Sequence, residues 1–358
     1  MKDRKAVVRF GSRSAVRLAD LAQLVRAPAA LSVPGDVIAG ATAAGRPLGA
    51  RTFGVIGSSV CLYWAGMALN DYADATVDSV ERPERPVPSG RIPRRTALAV
   101  AGGLTAAGLG LAAAAGGRRS VGAALPLAGL VWAYDLKLKS TPAGGFAMAG
   151  ARVLDVLAGA VVPGPGAESV GVALRRAAVP AGLVGVHTGT LMALSRHEIC
   201  GAPVRVPVGT LAVSAVTAIA TAVPVVRGEA GSAAKSCVSS AAPSGLVAQF
   251  PAPLKGVAVA ARSKMVRTAL TAAASGKFRI AVTAAGALAY LGTYGTAQAR
   301  AVQNPSAENV RRAVGAGIMG LMPLQAALTA RGGAPAVAAA LGVVHPLARR
   351  LARRISPT

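Results

Sequence analysis

The chain has 358 residues, 53% of them hydrophobic, and its 39 Lys+Arg against 14 Asp+Glu give a formal net charge of +25. Disorder needs low hydrophobicity together with high charge, and a soluble nucleic-acid binder carries its excess charge on a polar domain with aromatics for stacking; with 3% aromatics neither class fits, and no nucleic-acid partner is expected. What remains is a polytopic membrane protein whose basic residues gather in cytoplasmic loops.

In chain order, residues 1–28 form a basic tail holding seven Lys/Arg, read as cytoplasmic and as preceding a first membrane helix, not as a cleaved signal. Apolar runs long enough to cross a bilayer as helix then recur near 29–45, 53–70, 97–116, 120–134, 144–163, 177–195, 206–226, 278–297, 314–330 and 334–348. The expected fold is therefore all-α, a transmembrane bundle of about nine or ten spans. Residues 29–226 hold the motifs described below, and 278–358 supply the last helices and a basic tail. Between them, 227–277 begins rich in Ser, Ala and Pro and turns basic and amphipathic, which reads as a linker followed by a helix lying on the membrane.

Charge sets the orientation. With the N-terminus inside, the cytoplasmic connections and tails carry 23 Lys/Arg and the short outer connections 7. The stretch beyond Arg227 runs against this bias, but long connections constrain topology little. The expected location is the cytoplasmic membrane. Cys61, Cys200 and Cys237 form no pair motif, and His187, His197 and His345 lack metal-ligand spacing.

The acids are more informative than the bases. Five of the 14, Asp71, Asp74, Asp78, Glu81 and Glu84, fall within fourteen residues at the end of the second span. Asn70, Asp74 and Asp78 are spaced i, i+4, i+8 and would line one helix face over ~12 Å. Mg²⁺ prefers oxygen ligands and is often held by one or two carboxylates plus substrate phosphates. Arg82, Arg85, Arg91, Arg94 and Arg95 follow, suited to gripping a diphosphate or to neutralising the acids. On spacing alone, the segment reads equally as such a site and as a solvated loop with helix caps and ordinary ion pairs.

NDYADATVD followed by RPERPVPSG (residues 70–90) resembles the first aspartate-rich motif of the UbiA superfamily of intramembrane prenyltransferases. Tyr134-Asp135-Leu136-Lys137-Leu138-Lys139 is similar to that superfamily's Tyr…Leu-Lys signature, and Gly150, Arg152 and Asp155 to its Gly-x-x-Arg-x-x-Asn helix. Arg26 and Asp36 sit where the superfamily often has Arg and Asn. Ser195-Arg196-His197-Glu198 falls where the second acidic motif belongs and is similar to the EboC-like branch. The chain departs from the superfamily pattern there: Glu198 stands alone where two aspartates are usual, and Asp155 and Asp36 replace the commoner Asn.

The resemblance implies a catalytic cluster of Asn70, Asp71, Asp74 and Asp78, with Mg²⁺ on Asn70, Asp74 and Asp78. It implies substrate contacts from Arg85, Tyr134, Asp135, Lys137, Lys139, Arg152, Asp155, Arg196 and Glu198. The donor would be a prenyl diphosphate entering from the bilayer, and the acceptor a lipophilic molecule, aromatic or otherwise electron-rich. Two alternatives stay open: phosphoribosyl transfer to a polyprenyl phosphate, and a non-enzymatic transporter or binder using its intramembrane charges. Arg152, Asp155 and Asp36 also read as mutual pairs that fix helix packing, and Asp135 with its lysines as an interfacial anchor. Tyr63, Trp64, Tyr72, Trp132 and Tyr134 read first as an aromatic belt, Tyr290 and Tyr294 as packing or tail-cavity residues, and His187 and Cys200 as structural.

Overall fold

The computed structural model describes residues 16–164, 169–223 and 276–342. Among these there is no strand. The helices are α1 (Leu18–Leu24), α2 (Val33–Ala43), α3 (Ala50–Ala73), α4 (Ala75–Glu81), α5 (Arg94–Ala133), α6 (Gly144–Ala160), α7 (Val170–Ser195), α8 (Arg205–Ala222), α9 (276–290), α10 (Thr296–Gln303), α11 (Ala307–Arg331) and α12 (335–342). Each of the ten apolar runs overlaps, within the described residues, one of these helices or an arm of one. Five helical stretches are long and apolar enough to cross a membrane: Ala50–Ala73, Arg94–Leu138, Val170–Ser195, Arg205–Ala222 and Ala307–Arg331. The interfacial helix expected within 227–277 lies outside the described residues apart from its last two positions.

The longest of these stretches is two crossings. Gly117 at φ 56 and ψ −143 adopts a conformation that essentially only glycine reaches, and Gly116 beside it is also non-helical. Trp132 Nε1 donates to Thr105 Oγ1 at 3.0 Å, although a continuous helix would hold residues 27 apart at ~40 Å. The helix therefore folds back at the glycine pair, and its arms match the separate runs 97–116 and 120–134.

Small residues bring the helices together where water-driven burial is absent. A Cβ on Gly159 of α6 would strike the Val37 carbonyl of α2, and one on Gly40 of α2 would strike the Val156 carbonyl of α6. The two backbones thus touch through reciprocal glycines. Arg46 extends this seam, donating from Nε to the Ala160 carbonyl at 2.9 Å. The core is centred on Val156, Val184, Tyr290, Tyr294, Leu324 and Leu328, from α6, α7, α9, α11 and the π turn Leu291–Gly295. α11 is the most enclosed crossing and the folded-back α5 the most peripheral.

Serine caps set the starts of α7 and α11: Ser169 and Ser306 accept from the backbone N–H groups of Val172 and Asn309, both at 3.4 Å. The alternation of crossings brings the ends of α3 and α7, the starts of α6 and α8, and the π turn Tyr134–Leu138 to one end of the bundle. This is the motif end. Here α1, within the predicted tail, docks by burying Leu24 against Leu69 and Ile92, while Arg91 pairs with Asp20 at 2.6 Å.

Gly159→Leu is expected to lower stability by ~1–3 kcal/mol, because the α2 backbone leaves no room for a side chain. Gly102→Ala in α5, which meets nothing within 4 Å, is expected to be neutral or stabilising by up to ~1 kcal/mol. Thermal unfolding of the two purified variants in one detergent checks both.

Candidate active site

At the motif end, α3 runs into α4 with almost no break in helical bonding. The backbone N–H of Asp74 bonds the Asn70 carbonyl and that of Asp78 bonds the Asp74 carbonyl, each at 2.8 Å. The i, i+4, i+8 register therefore survives the junction. The Asn70 amide donates to Asp74 Oδ2, and Lys139 Nζ, arriving from the π turn after α5, pairs with Asp74 Oδ1. Arg85 pairs with Asp78 and stands 3.7 Å from Asp71, whose same oxygen takes Arg26 at 3.1 Å. Asp71, one residue round the helix, is thus clasped by two arginines from different connections. Carboxylates massed at this density repel one another unless cations hold them, and three elements contribute those cations.

Beside this cluster lies a cavity of about 260 Å³, walled by Arg26, Tyr63, Asn70, Tyr134, Asp135 and apolar residues such as Met67, Leu130 and Ala151. Arg26 sits there in the left-handed region, φ 44, rarely adopted by a residue with a side chain. Asp135 is buried against Gly66, where a Cβ would come within 3.1 Å of its Oδ2. Asp135 forms no hydrogen bond or ion pair among the described residues. Lys137, two residues on, is exposed and is not brought to the acids.

Arg152 and Asp155 stand behind Tyr63, outside the cavity wall. Arg152 Nε lies 2.8 Å from Asp36 Oδ2, its terminal nitrogen donates to the Ser32 carbonyl at 3.2 Å, and its guanidinium sits 5.4 Å from the Tyr63 ring centroid. Gln325 of α11 donates to Asp36 Oδ1 at 2.6 Å and to the Ser32 carbonyl at 2.7 Å. Asp36 and Asp155 are fully buried. Gln325 was not anticipated from sequence; its signal is a lone amide in the otherwise apolar run 314–330.

Among the described residues neither Arg196 nor Glu198 forms an ion pair with the first cluster. Arg196 donates to the Pro142 carbonyl at 2.8 Å and the Thr141 carbonyl at 3.5 Å. Burial pushes the Glu198 carboxyl above its ordinary range, against the pull of Arg311 and Arg82. Among the described residues no group of three or more His, Cys, Asp or Glu forms a metal cage. Mg²⁺ does not require one. Asn70 and Asp74 share one face with the Asn70 amide nitrogen turned to Asp74, Asp78 lies one turn on, and Lys139 and Arg85 now supply the cations on the two carboxylates. The donor set fits Mg²⁺ completed by water and phosphate oxygens.

The sequence profile described as the UbiA prenyltransferase family matches residues 32–226. A digeranylgeranylglyceryl phosphate synthase of Methanopyrus kandleri is 41% identical over 110 residues, 31% of this chain and 38% of that protein. The enzyme of that name in Halobacterium salinarum is 38% identical over 133 residues, 37% of this chain and 47% of that one. The chain thus spans less than half the length of these curated relatives. The apo structure of a UbiA homolog from Aeropyrum pernix K1 superposes with a TM-score of 0.54 at 16% identity, over 88% of this chain and 97% of that one. A solved structure concerned with digeranylgeranylglyceryl phosphate synthase in membranes gives 0.52 at 15%, over 89% and 99%. At such identities the two structures speak for the fold alone.

Removing Arg152 leaves Asp36 buried without its cation, so Arg152→Leu is expected to destabilise the protein by ~3–5 kcal/mol. Lys137→Met, which removes an exposed side chain, is expected to stay within ~0.5 kcal/mol of wild type. Thermal melts of both variants, with and without added Mg²⁺, measure the difference.

Proposed function

The chain belongs to the UbiA prenyltransferase family, and from that membership we propose that it is an integral-membrane enzyme moving a prenyl group from a prenyl diphosphate to the hydroxyl of a lipophilic acceptor. One observation carries this reading: an apolar-walled cavity lies directly beside the Asp71, Asp74 and Asp78 carboxylates, each held by a cationic side chain. Such a junction suits a ligand with a hydrocarbon tail and a diphosphate head. The N-terminus is read as cytoplasmic from the distribution of Lys and Arg.

Bound Mg²⁺, held by Asn70, Asp74 and Asp78, would neutralise charge on the departing diphosphate. The rest falls to the chain. Lys139 and Arg85, now on Asp74 and Asp78, would exchange a carboxylate partner for a phosphate one. Arg26 faces the cavity from the same side. Tyr63 and Tyr134 line the cavity, where their rings would stabilise positive charge developing on the allylic carbon. The bond from the allylic carbon to the diphosphate oxygen breaks, a bond from the acceptor oxygen to that carbon forms, and the acceptor proton passes to Asp135. Asp135 is placed for this by its position in the wall and its lack of an ion pair.

The acceptor class follows the relatives' names. They describe a glyceryl phosphate bearing two geranylgeranyl groups, which favours an alcohol oxygen over an aromatic carbon as the nucleophile. Arg152 and Asp155 then act as supports behind Tyr63.

The test uses the purified full chain with radiolabelled geranylgeranyl diphosphate, Mg²⁺, and either a prenylated glyceryl phosphate or a phenolic acid as acceptor. Product is expected with the glyceryl phosphate, and Asp74→Ala is expected to lower kcat/KM by ~10²–10³-fold. Full turnover in Asp74→Ala, or no donor consumed with either acceptor, contradicts the transferase reading. Consumption with the phenolic acid alone contradicts only the acceptor. Competition by phosphoribosyl diphosphate would assign the site to the other donor class.

A further inference from the structure

α6 carries a second recess on its far side. Ala147 and Ala151 face the reaction cavity, whereas Ala149 and Val153, on the opposite face of the helix, border a groove of about 640 Å³ against α7. That volume lies within the ~300–1,000 Å³ of ordinary ligand sites. Gly182 and Gly189 form its α7 wall, and Arg196 and His197 stand at its motif end.

The glycines of this wall divide into one that packs and two that face open space. Small residues in membrane helices normally admit a neighbouring backbone. Gly185 does so, since a Cβ there would strike Val153. At Gly182 and Gly189, however, a Cβ would meet nothing within 4 Å among the described residues. Their lack of side chains serves open space, not helix packing, and it gives the groove its depth. From Gly182 to Arg196 the wall runs ~21 Å at ~1.5 Å per residue, enough for a chain reaching through one leaflet's ~15 Å of hydrocarbon.

The charge at the mouth identifies the head. Arg196 is exposed and uses one terminal nitrogen on the Thr141 and Pro142 carbonyls, but forms no ion pair with a carboxylate among the described residues. A guanidinium with unspent donors beside an apolar trough complements a phosphate bearing a hydrocarbon chain. We propose that the α6–α7 groove is a binding site for one anionic glycerophospholipid of the bilayer, its phosphate on Arg196 and one acyl chain along Gly182 and Gly189. α6 separates this lipid from the reaction cavity, so the site does not rest on the transfer chemistry. Its phosphate would bear on the 139–143 connection that Arg196 already holds, next to Lys139.

The purified, delipidated full chain in neutral detergent is titrated with micellar phosphatidylglycerol, with phosphatidylcholine of the same chains, or with inorganic phosphate, and Tm is recorded. Phosphatidylglycerol is expected to raise Tm by at least ~3 °C, phosphatidylcholine by markedly less, and inorganic phosphate not at all. Arg196→Gln is expected to respond equally to the two lipids. The double variant Gly182→Leu/Gly189→Leu, whose new side chains fill the groove, is expected to lose the response while keeping the wild-type Tm in detergent alone. Equal responses of the wild type to both lipids, a full response in the double glycine variant, or the same gain from inorganic phosphate would each overturn the proposal. Should the double variant already melt lower in detergent, native mass spectrometry decides: a phosphatidylglycerol adduct on wild type that Arg196→Gln loses supports the site, and equal adducts on both overturn it.

Discussion

The Asp36 carboxylate has no solvent within reach and takes its compensation from two distant parts of the chain, Arg152 of α6 and Gln325 of α11. An ionised group in a bilayer is tolerated only when so compensated. This junction ties α2 to the middle and the end of the described chain, and Gln325 adds the Ser32 carbonyl at the start of α2. It also backs the reaction cavity, because Arg152 lies against the Tyr63 ring. The reciprocal contact of Gly40 and Gly159 permits it, since only backbones that touch bring Arg152 this close to Asp36. Packing and charge compensation are here one constraint.

The motif end follows the same logic with a different outcome. Asp71, Asp74 and Asp78 are also held by cations, but there Lys139 and Arg85 remain partly exposed. Asp36 is locked because nothing can replace Arg152. Asp74, by contrast, is held at a partly exposed position by Lys139 and the Asn70 amide. Among the described residues the motif at 195–198 forms no ion pair with the first cluster: Arg196 braces a loop, and Glu198 is drawn by Arg311 and by Arg82 of the first motif's turn.

Much of this was legible in the sequence. Span positions follow from apolar length, and the break between the third and fourth runs at Gly116–Gly117 appears as a glycine-lined fold-back. The acid cluster stood out because acids are scarce, and its register held through the α3–α4 junction. Other features were not legible, for physical reasons. Whether Lys137 or Lys139 meets Asp74 depends on the π turn at Tyr134–Leu138, which shifts the facing by a residue that periodicity does not register. The Gln325–Asp36 bond joins residues 289 apart, and no local pattern encodes it. Arg196 binds backbone carbonyls, which every residue possesses, so its role left no mark in side-chain chemistry.

The central claim is that Asn70, Asp74 and Asp78, with Lys139, form an exchangeable cation site for a prenyl diphosphate. It is tested most directly by the melting temperature of the purified protein with Mg²⁺ and a non-reactive thiolo analogue of geranylgeranyl diphosphate, added singly and together. The account predicts stabilisation by the pair well beyond the sum of the single additions, absent in Asp74→Asn. Equal stabilisation by the analogue in EDTA, or in Asp74→Asn, would contradict it.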